Sequence, residues 1–326
     1  MSLLWFSLLL CLVAGVAINS GNVCVVRAAN ELATGKPRLV VSSFVTVTFA
    51  TLVVFIESSF GLLRHLVPLS WPVWTTLLGA VIFACGALLN GACAVGTLGR
   101  LASGDVGYVA TLVSGITVTA LLIAGTKPIH HERLTPLVGE ALWLVAIVTL
   151  TLALIALTWR HMRAKSIIIY AVLGIVAATQ ANIQGNSSWF SLATVMRQET
   201  LVAFTALSCF GAMLAGACLS ALYRRRFRFV RPKLTRMQRQ GAGGALMAVG
   251  AILIPGGNDT LLITGLPAGD PNAIVAYAVM FLLMFGLLRY SARLRASLAD
   301  WSLDPRRPAL TPVTPTVTSG PGEQKL

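Results

Sequence analysis

Gly86–Gly107 reads GALLNGACAVGTLGRLASGDVG and joins two apolar runs of the chain. Within it, Cys93 stands among glycines and alanines, which let backbones approach closely and loosen helices. A similar stretch begins at Gly250 and reads GAILIPGGNDTLLITGLPAGDP, and aligning the two places Cys93 on Gly257. Short, Gly-interrupted apolar segments at corresponding positions of two halves are the sequence indication of a transporter's binding site.

The composition is that of a polytopic membrane protein. Of the 326 residues, 56% are hydrophobic and 11% are charged, whereas soluble domains carry about 25% charged residues. Apolar runs of about 20 residues, each long enough to cross a bilayer, recur along the chain. We predict an all-α fold with about nine transmembrane helices, at residues 2–18, 38–56, 71–89, 106–124, 136–158, 166–183, 199–221, 238–254 and 272–290. No Lys or Arg precedes the first run, so we interpret it as a spanning helix rather than a cleaved signal peptide.

Further segments are too apolar for water and too short to span, and we predict that they form four re-entrant or half helices. They are Gly21–Thr34, Asn90–Ser103, Gly185–Arg197 and Pro255–Pro267. The pairs Gly21-Asn22 and Gly185-Asn186 open two of them with the same dipeptide, which places Cys24 on Ser188. The pattern predicts an inverted repeat of the form 4+1+4, as many secondary transporters have.

This repeat defines the predicted domain organisation. Residues 1–296 form a single transmembrane transport domain, with repeat one at about 1–124, a linker helix at 136–158 and repeat two at about 166–290. Residues 297–326 are rich in Pro and Thr without apolar periodicity, so we predict a disordered tail.

Basic residues set the predicted orientation. The loop Tyr223–Gln240 carries eight Arg and Lys residues, and the two other basic stretches fall on the same side in a nine-span arrangement. The positive-inside rule makes that side cytoplasmic, with the amino terminus outside and the carboxyl terminus inside. The basic loop needs no function beyond topology and contact with lipid headgroups. Docking of an acidic cytoplasmic partner is the alternative, and nucleic acid is not expected.

The short segments carry side chains suited to a path for an anion. A helix that begins after Gly-Asn presents free N–H groups, which attract anions. On a helix, Cys24 shares a face with Arg27, and Cys93 shares one with Gly96 and Arg100. A neutral thiol is a weak donor and a soft contact, so it suits an anion with a terminal sulfur and still releases it. The predicted path residues are Cys24, Cys93, Gly257, Asn258, Asn22, Asn90, Gly91, Gly96, Arg27, Arg100, Asn186 and Ser188.

Structural interpretations compete with this one, since cysteines also pack helices and Arg27 and Arg100 also serve as positive-inside charges. No enzyme, metal site or cofactor is predicted. The six cysteines lack metal-ligand spacing, and His130-His131-Glu132 has no supporting ligands nearby. No nucleophile–base pair stands out.

The stretch GACAVGTLGRLASGD resembles the Gly-Cys-rich signature of the YeeE/YedE sulphur-transport family, and NVCVVRAA and GGALMAVGAILIPGGN are similar to two more of its regions. The resemblance implies an hourglass-shaped bacterial inner-membrane protein that imports thiosulfate past three cysteines through S–H···S hydrogen bonds. It places the first two at Cys24 and Cys93 and the third at Gly257, where the thiol is absent. It also implies a small cytoplasmic sulfur-carrier protein as a partner.

We therefore expect a transporter or channel that imports a small sulfur-containing anion, with thiosulfate first. The missing third thiol leaves open a permease for sulfite, a selenium compound, or another small anion or metabolite. A non-transporting membrane scaffold that recruits a cytoplasmic partner through the basic loop is the alternative of a different class.

Overall fold

A computed structural model describes residues 2–62, 73–123, 139–162, 164–184, 200–254 and 257–302. Regular structure in these ranges is helical. The helices are α1 (Ser2–Gly21), α2 (Val25–Ala33), α3 (Arg38–Ser59), α4 (Val73–Asn90), α5 (Ala94–Ala102), α6 (Val109–Ile123), α7 (Glu140–Thr158), α8 (Ala164–Gln184), α9 (Thr200–Tyr223), α10 (Leu234–Leu253), α11 (Asn258–Gly265) and α12 (Pro271–Ser302). Short 3₁₀ turns precede α6 and follow α7, and α11 is π-helical from Leu261.

The prediction of an all-helical, polytopic membrane protein is confirmed. Among the described residues, seven helical runs are long and apolar enough to cross a membrane, or eight if the bent pair α10–α11 is one span. Two of these runs contain a break, because Leu4–Ala33 joins α1 to α2 and Val73–Ala102 joins α4 to α5. Helices occupy the positions of the predicted spans, but the number nine and the inverted repeat stay predictions.

Helices α4 and α10 pack at backbone distance through paired glycines. A Cβ at Gly250 would lie 2.8 Å from the carbonyl oxygen of Gly79, and one at Gly86 would lie 2.9 Å from that of Gly243. Real Cβ atoms do not come this close, so only glycine permits the contact. The pairing runs antiparallel and joins the helix that precedes α5 to the helix that precedes α11.

The basic loop lies against the turns that follow α1 and α5. The Arg228 N–H donates to the Ser103 carbonyl at 2.9 Å, and the Val230 N–H donates to that of Gly104 at 3.0 Å. An ion pair of 2.6 Å joins Arg236 to Asp105. Segments predicted to share one side of the membrane therefore contact one another.

Two compact units divide the chain, Met1–Arg289 and Tyr290–Leu326. The first contains the helical bundle. Of the second, the structure describes the end of α12 up to Ser302. The predicted domain boundary near residue 296 and the disordered tail stay predictions.

We predict that Gly216→Ala destabilises the protein and that Gly211→Ala does not. Both glycines lie in α9, but a Cβ at Gly216 would overlap the Leu12 carbonyl of α1, whereas a Cβ at Gly211 meets nothing within 4 Å. Overpacking of this kind costs about 1–3 kcal/mol. Thermal unfolding in detergent, followed by size-exclusion chromatography, measures the difference. Equal melting of the two variants would contradict the close α1–α9 contact.

Candidate functional site

Three of the predicted path residues occupy the same structural position, the residue immediately before a short helix. Cys24 precedes α2, Cys93 precedes α5 and Gly257 precedes α11. The backbone is extended at Cys24 (φ −162°, ψ 122°) and at Cys93 (φ −79°, ψ −178°). Each residue therefore stands beside the first N–H groups of its helix, which have no partner within the helix.

The two thiols are neighbours. Cys24 Sγ and Cys93 Sγ are 3.5 Å apart, which is hydrogen-bond distance for sulfur. The Gly96 N–H donates to Cys93 Sγ at 3.5 Å, so the Cys93 side chain caps the first turn of α5. Two residues 69 positions apart in sequence thus form one sulfur pair.

Gly96 makes this approach possible. A Cβ on Gly96 would lie 2.6 Å from Cys24 Sγ and 3.0 Å from Cys24 Cβ. Only a residue without a side chain leaves room for the Cys24 thiol at this point of α5. The space beside Gly96 is thus occupied by the Cys24 thiol.

A cavity of about 440 Å³ opens beside Cys24. Its polar wall carries the guanidinium groups of Arg27 and Arg100, both on exposed residues. The lining residues are Ile18, Asn19, Asn22, Val23, Cys24, Val26, Arg27, Asn30, Gly91, Ala92, Gly96, Gly99, Arg100, Ser103 and Leu288. Cys93 does not line the cavity, since it is fully buried behind Cys24. An anion in the cavity would meet positive charge, amide groups and a single thiol.

Asn22 lies on the cavity wall, but its position relative to the helices differs from the predicted one. We expected Gly21-Asn22 to begin a short helix, but this pair ends α1. Asn22 is left-handed (φ 54°), its N–H donates to the Asn19 carbonyl at 3.3 Å, and the Val23 N–H donates to that of Ile18 at 3.2 Å. This is the Schellman arrangement, in which asparagine replaces the usual glycine. Helix α2 begins three residues after Asn22, at Val25, so the residue immediately before it is Cys24.

The Asn22 side chain is engaged by Arg27. The Nη1 group of Arg27 donates to Asn22 Oδ1 at 3.2 Å, and its Nε donates to Glu31 at 3.3 Å. Glu31 therefore offsets part of the charge of Arg27. Arg100 lies on the opposite segment, α5, so the two arginines approach the cavity from different helices.

Asn90 closes the break between α4 and α5 instead of lining the cavity. Its Nδ2 donates to the Ala92 carbonyl at 2.7 Å and to Thr97 Oγ1 at 2.9 Å, and its Oδ1 accepts from Thr111 Oγ1 at 2.8 Å. This buried network orients the turn in which Gly91 is left-handed (φ 78°). The contribution of Asn90 in this structure is to position Cys93.

Gly257 and Asn258 lie in the second half of the chain, where α11 contacts α5. A Cβ at Gly257 would lie 3.5 Å from both Phe83 and Ala251, which belong to the same buried cluster as Cys93. Asn258 is 3% exposed, and its Oδ1 has no hydrogen-bond partner among the described residues. Asn186 and Ser188, with the whole segment Gly185–Arg197, lie outside the described residues.

Asn19 and Asn30 are cavity residues that we did not predict. Asn19 Nδ2 donates to the Gly99 carbonyl at 3.3 Å and to Ser103 Oγ at 3.0 Å, so it ties α1 to α5. Helical spacing could have indicated both residues, because Asn19 precedes Asn22 by three positions and Asn30 follows Arg27 by three.

The model of the sulphur transport family matches the chain twice, over residues 20–169 and 132–285. The chain belongs to the YeeE/YedE sulphur transport family. No curated protein matches it. The resemblance seen in the sequence is therefore confirmed, and the protein is a multi-pass membrane transporter of a sulfur compound.

We predict that Cys24 reacts much faster than Cys93 with a small charged thiol reagent. Cys24 is half-buried on the cavity wall, whereas Cys93 has no exposed surface. Timed labelling of the wild-type protein with a methanethiosulfonate, followed by peptide mass spectrometry, compares both residues in one sample. Equal labelling rates would contradict the arrangement of the two thiols.

We also predict that Gly96→Ala disrupts the sulfur pair and that Gly99→Ala does not. Both positions lie in α5 and line the cavity, but a Cβ at Gly99 has its nearest neighbour 3.9 Å away, at Ile18. The added methyl at residue 96 must push Cys24 or α5 aside. We expect altered Cys24 labelling and about tenfold less transport for Gly96→Ala, a change of about 1.4 kcal/mol. Identical behaviour of the two variants would count against the close contact.

Proposed function

We propose that this family member is a bacterial inner-membrane transporter or channel that imports thiosulfate past Cys24 and Cys93. The observation that carries the proposal is the sulfur pair, whose two thiols lie 3.5 Å apart with one of them on the wall of an arginine-bearing cavity. The two free thiols stand immediately before two short helices, where the first helical N–H groups have no partner within the helix. Thiosulfate is an anion with a terminal sulfur. The arginines of the cavity match its charge, and the two thiols match its terminal sulfur.

The proposed mechanism uses reversible contacts only. A buried S–H is a weak donor and sulfur is polarisable. Cys93 and then Cys24 can therefore donate a weak hydrogen bond to the terminal sulfur of the anion without holding it tightly. Transport requires binding that is favourable at entry and weak enough for exit. Arg27 and Arg100 then attract the anion into the cavity beside Cys24. No covalent step is involved.

The direction of import follows from the proposed orientation. The cavity lies beside Ser103, whose carbonyl accepts a hydrogen bond from the basic loop. If that loop is cytoplasmic, as the positive-inside rule indicates, the cavity is the exit and Cys93 lies deeper along the route. The amino terminus is then outside and the carboxyl terminus inside.

An inverted repeat accounts for the similar positions of Cys93 and Gly257, one from each half of the chain. Support comes from the two matches of the family model, at residues 20–169 and 132–285, and from the shared position of these residues before short helices. At Gly257 the backbone (φ 89°, ψ −176°) occupies a region that is essentially restricted to glycine. The backbone N–H groups and the Asn258 amide replace the third thiol in this proposal. The cytoplasmic sulfur-carrier partner stays a prediction.

Uptake of labelled thiosulfate into cells that lack their own importers tests the proposal. We expect Cys24→Ala and Cys93→Ala to lower uptake about tenfold or more, which corresponds to one lost contact of about 1.4 kcal/mol. Cys85→Ala is the matched control, because Cys85 is an exposed residue of α4. Uptake that persists in both thiol variants at equal expression would refute the thiol route.

The same assay separates the alternatives. Competition by sulfite or selenite rather than thiosulfate would favour another small anion as the substrate. If the protein is a scaffold, replacing Arg224–Arg226 by glutamine abolishes its cellular function, whereas the thiol variants have no effect. These outcomes are opposite to those of the thiol route.

We predict that Gly257→Cys lowers uptake instead of restoring a third thiol. The cysteine would have to adopt φ 89° and would lie 3.3 Å from Asp259 Oδ1. A side chain in this region of conformational space costs about 1–3 kcal/mol. Uptake and melting temperature of the variant measure the effect, and faster uptake with unchanged stability would contradict the prediction.

A further inference from the structure

A second cavity, of about 330 Å³, lies next to the thiol cavity. Three arginines from three elements line it: Arg27 of α2, Arg38 of α3 and Arg226 of the basic loop. The other lining residues are Ser20, Gly21, Asn22, Leu39, Ser166, Ile169 and Tyr170. Asn22 and Arg27 line both cavities and so form the boundary between them.

The described residues do not neutralise the positive charge of this second cavity. Glu31 lies 3.3 Å from Arg27 and 3.8 Å from Arg38, so one carboxylate serves two guanidinium groups. Arg226 makes no ion pair with any described residue. Three positive charges against one negative charge leave a surplus of two.

The positions of the arginines are fixed by local structure. At the end of α9, Arg225 is left-handed (φ 53°) and the Arg226 N–H donates to the Ala221 carbonyl at 2.9 Å. This turn fixes the backbone position of Arg226. Arg38 is the first residue of α3, and no acidic residue occupies the first turn of α3 or of α8. A cation at the positive end of a helix is unfavourable, and a bound anion would relieve both charges.

We propose that the second cavity binds a tetrahedral oxyanion carrying two negative charges, such as sulfate or thiosulfate. Guanidinium groups recognise such anions through paired N–H donors, and Ser20 and Ser166 add hydroxyl groups. Binding itself is independent of transport. Its role as a holding site for the cargo after Cys24, reached past Asn22 and Arg27, rests on the proposed function. The phosphate of an anionic lipid has the same chemistry and is the other source of a ligand.

Calorimetric titration of the full chain with sodium sulfate, in an uncharged detergent at constant ionic strength, tests the site. We expect Arg38→Gln and Arg226→Gln each to weaken sulfate binding about tenfold, as loss of a charge-assisted contact does. Arg231→Gln is the matched control, because Arg231 is an exposed arginine of the same loop that does not line the cavity.

Two results would overturn the proposal: wild-type affinity in both cavity variants, or an equal loss of sulfate binding in Arg231→Gln, which would assign the binding to the general positive charge of the loop. Repeating the titration in nanodiscs of phosphatidylcholine and of phosphatidylglycerol distinguishes the sources. If sulfate binds more weakly in phosphatidylglycerol than in phosphatidylcholine, and Arg226→Gln removes this difference, the site is assigned to lipid phosphate. Equal binding in both assigns it to the free anion. If sulfate binds as expected while the thiol variants still import thiosulfate, the site stands and the thiol route fails.

Discussion

The close approach of two helix starts is the constraint on which the site depends. Cys24 and Cys93 come within 3.5 Å of each other only because Gly96 presents no side chain where the Cys24 sulfur lies. The approach is held from both sides, since Asn19 ties α1 to α5 and Asn90 fixes the turn before Cys93. Buried polar side chains are thus used at the breaks, where backbone groups lose their helical partners.

The backbone conformation required before a short helix explains the glycine at position 257. The residue before each short helix needs an extended or otherwise non-helical backbone, and cysteine adopts it at residues 24 and 93. At Gly257 the chain takes a conformation that side chains disfavour. The glycine at this position is therefore coupled to backbone geometry, and its exchange for cysteine would change more than a side chain.

Much of the fold could be predicted from the sequence, because hydrophobic length and Gly-rich interruptions are local signals. The breaks before α2, α5 and α11 fall inside the predicted short segments. The site was predicted less completely. The pairing of Cys24 with Cys93 depends on how Cys24, the residue before α2, packs against Gly96 of α5, and no local pattern encodes that contact. Asn22 was expected to begin a short helix and instead ends α1, since Gly-Asn serves equally well at the end of one helix and at the start of another.

The glycine contacts between α4 and α10 have a consequence for movement. Gly79 faces Gly250 and Gly86 faces Gly243, so the contacts recur at a seven-residue interval on both helices. A slide of one helix along the other would bring larger residues against the opposing carbonyl groups. Helices α4 and α10 therefore resist both separation and sliding, and they form a rigid helix pair. In the proposed route, passage of the anion is then accommodated by rotation of small groups such as the Cys24 thiol, or by helices other than α4 and α10.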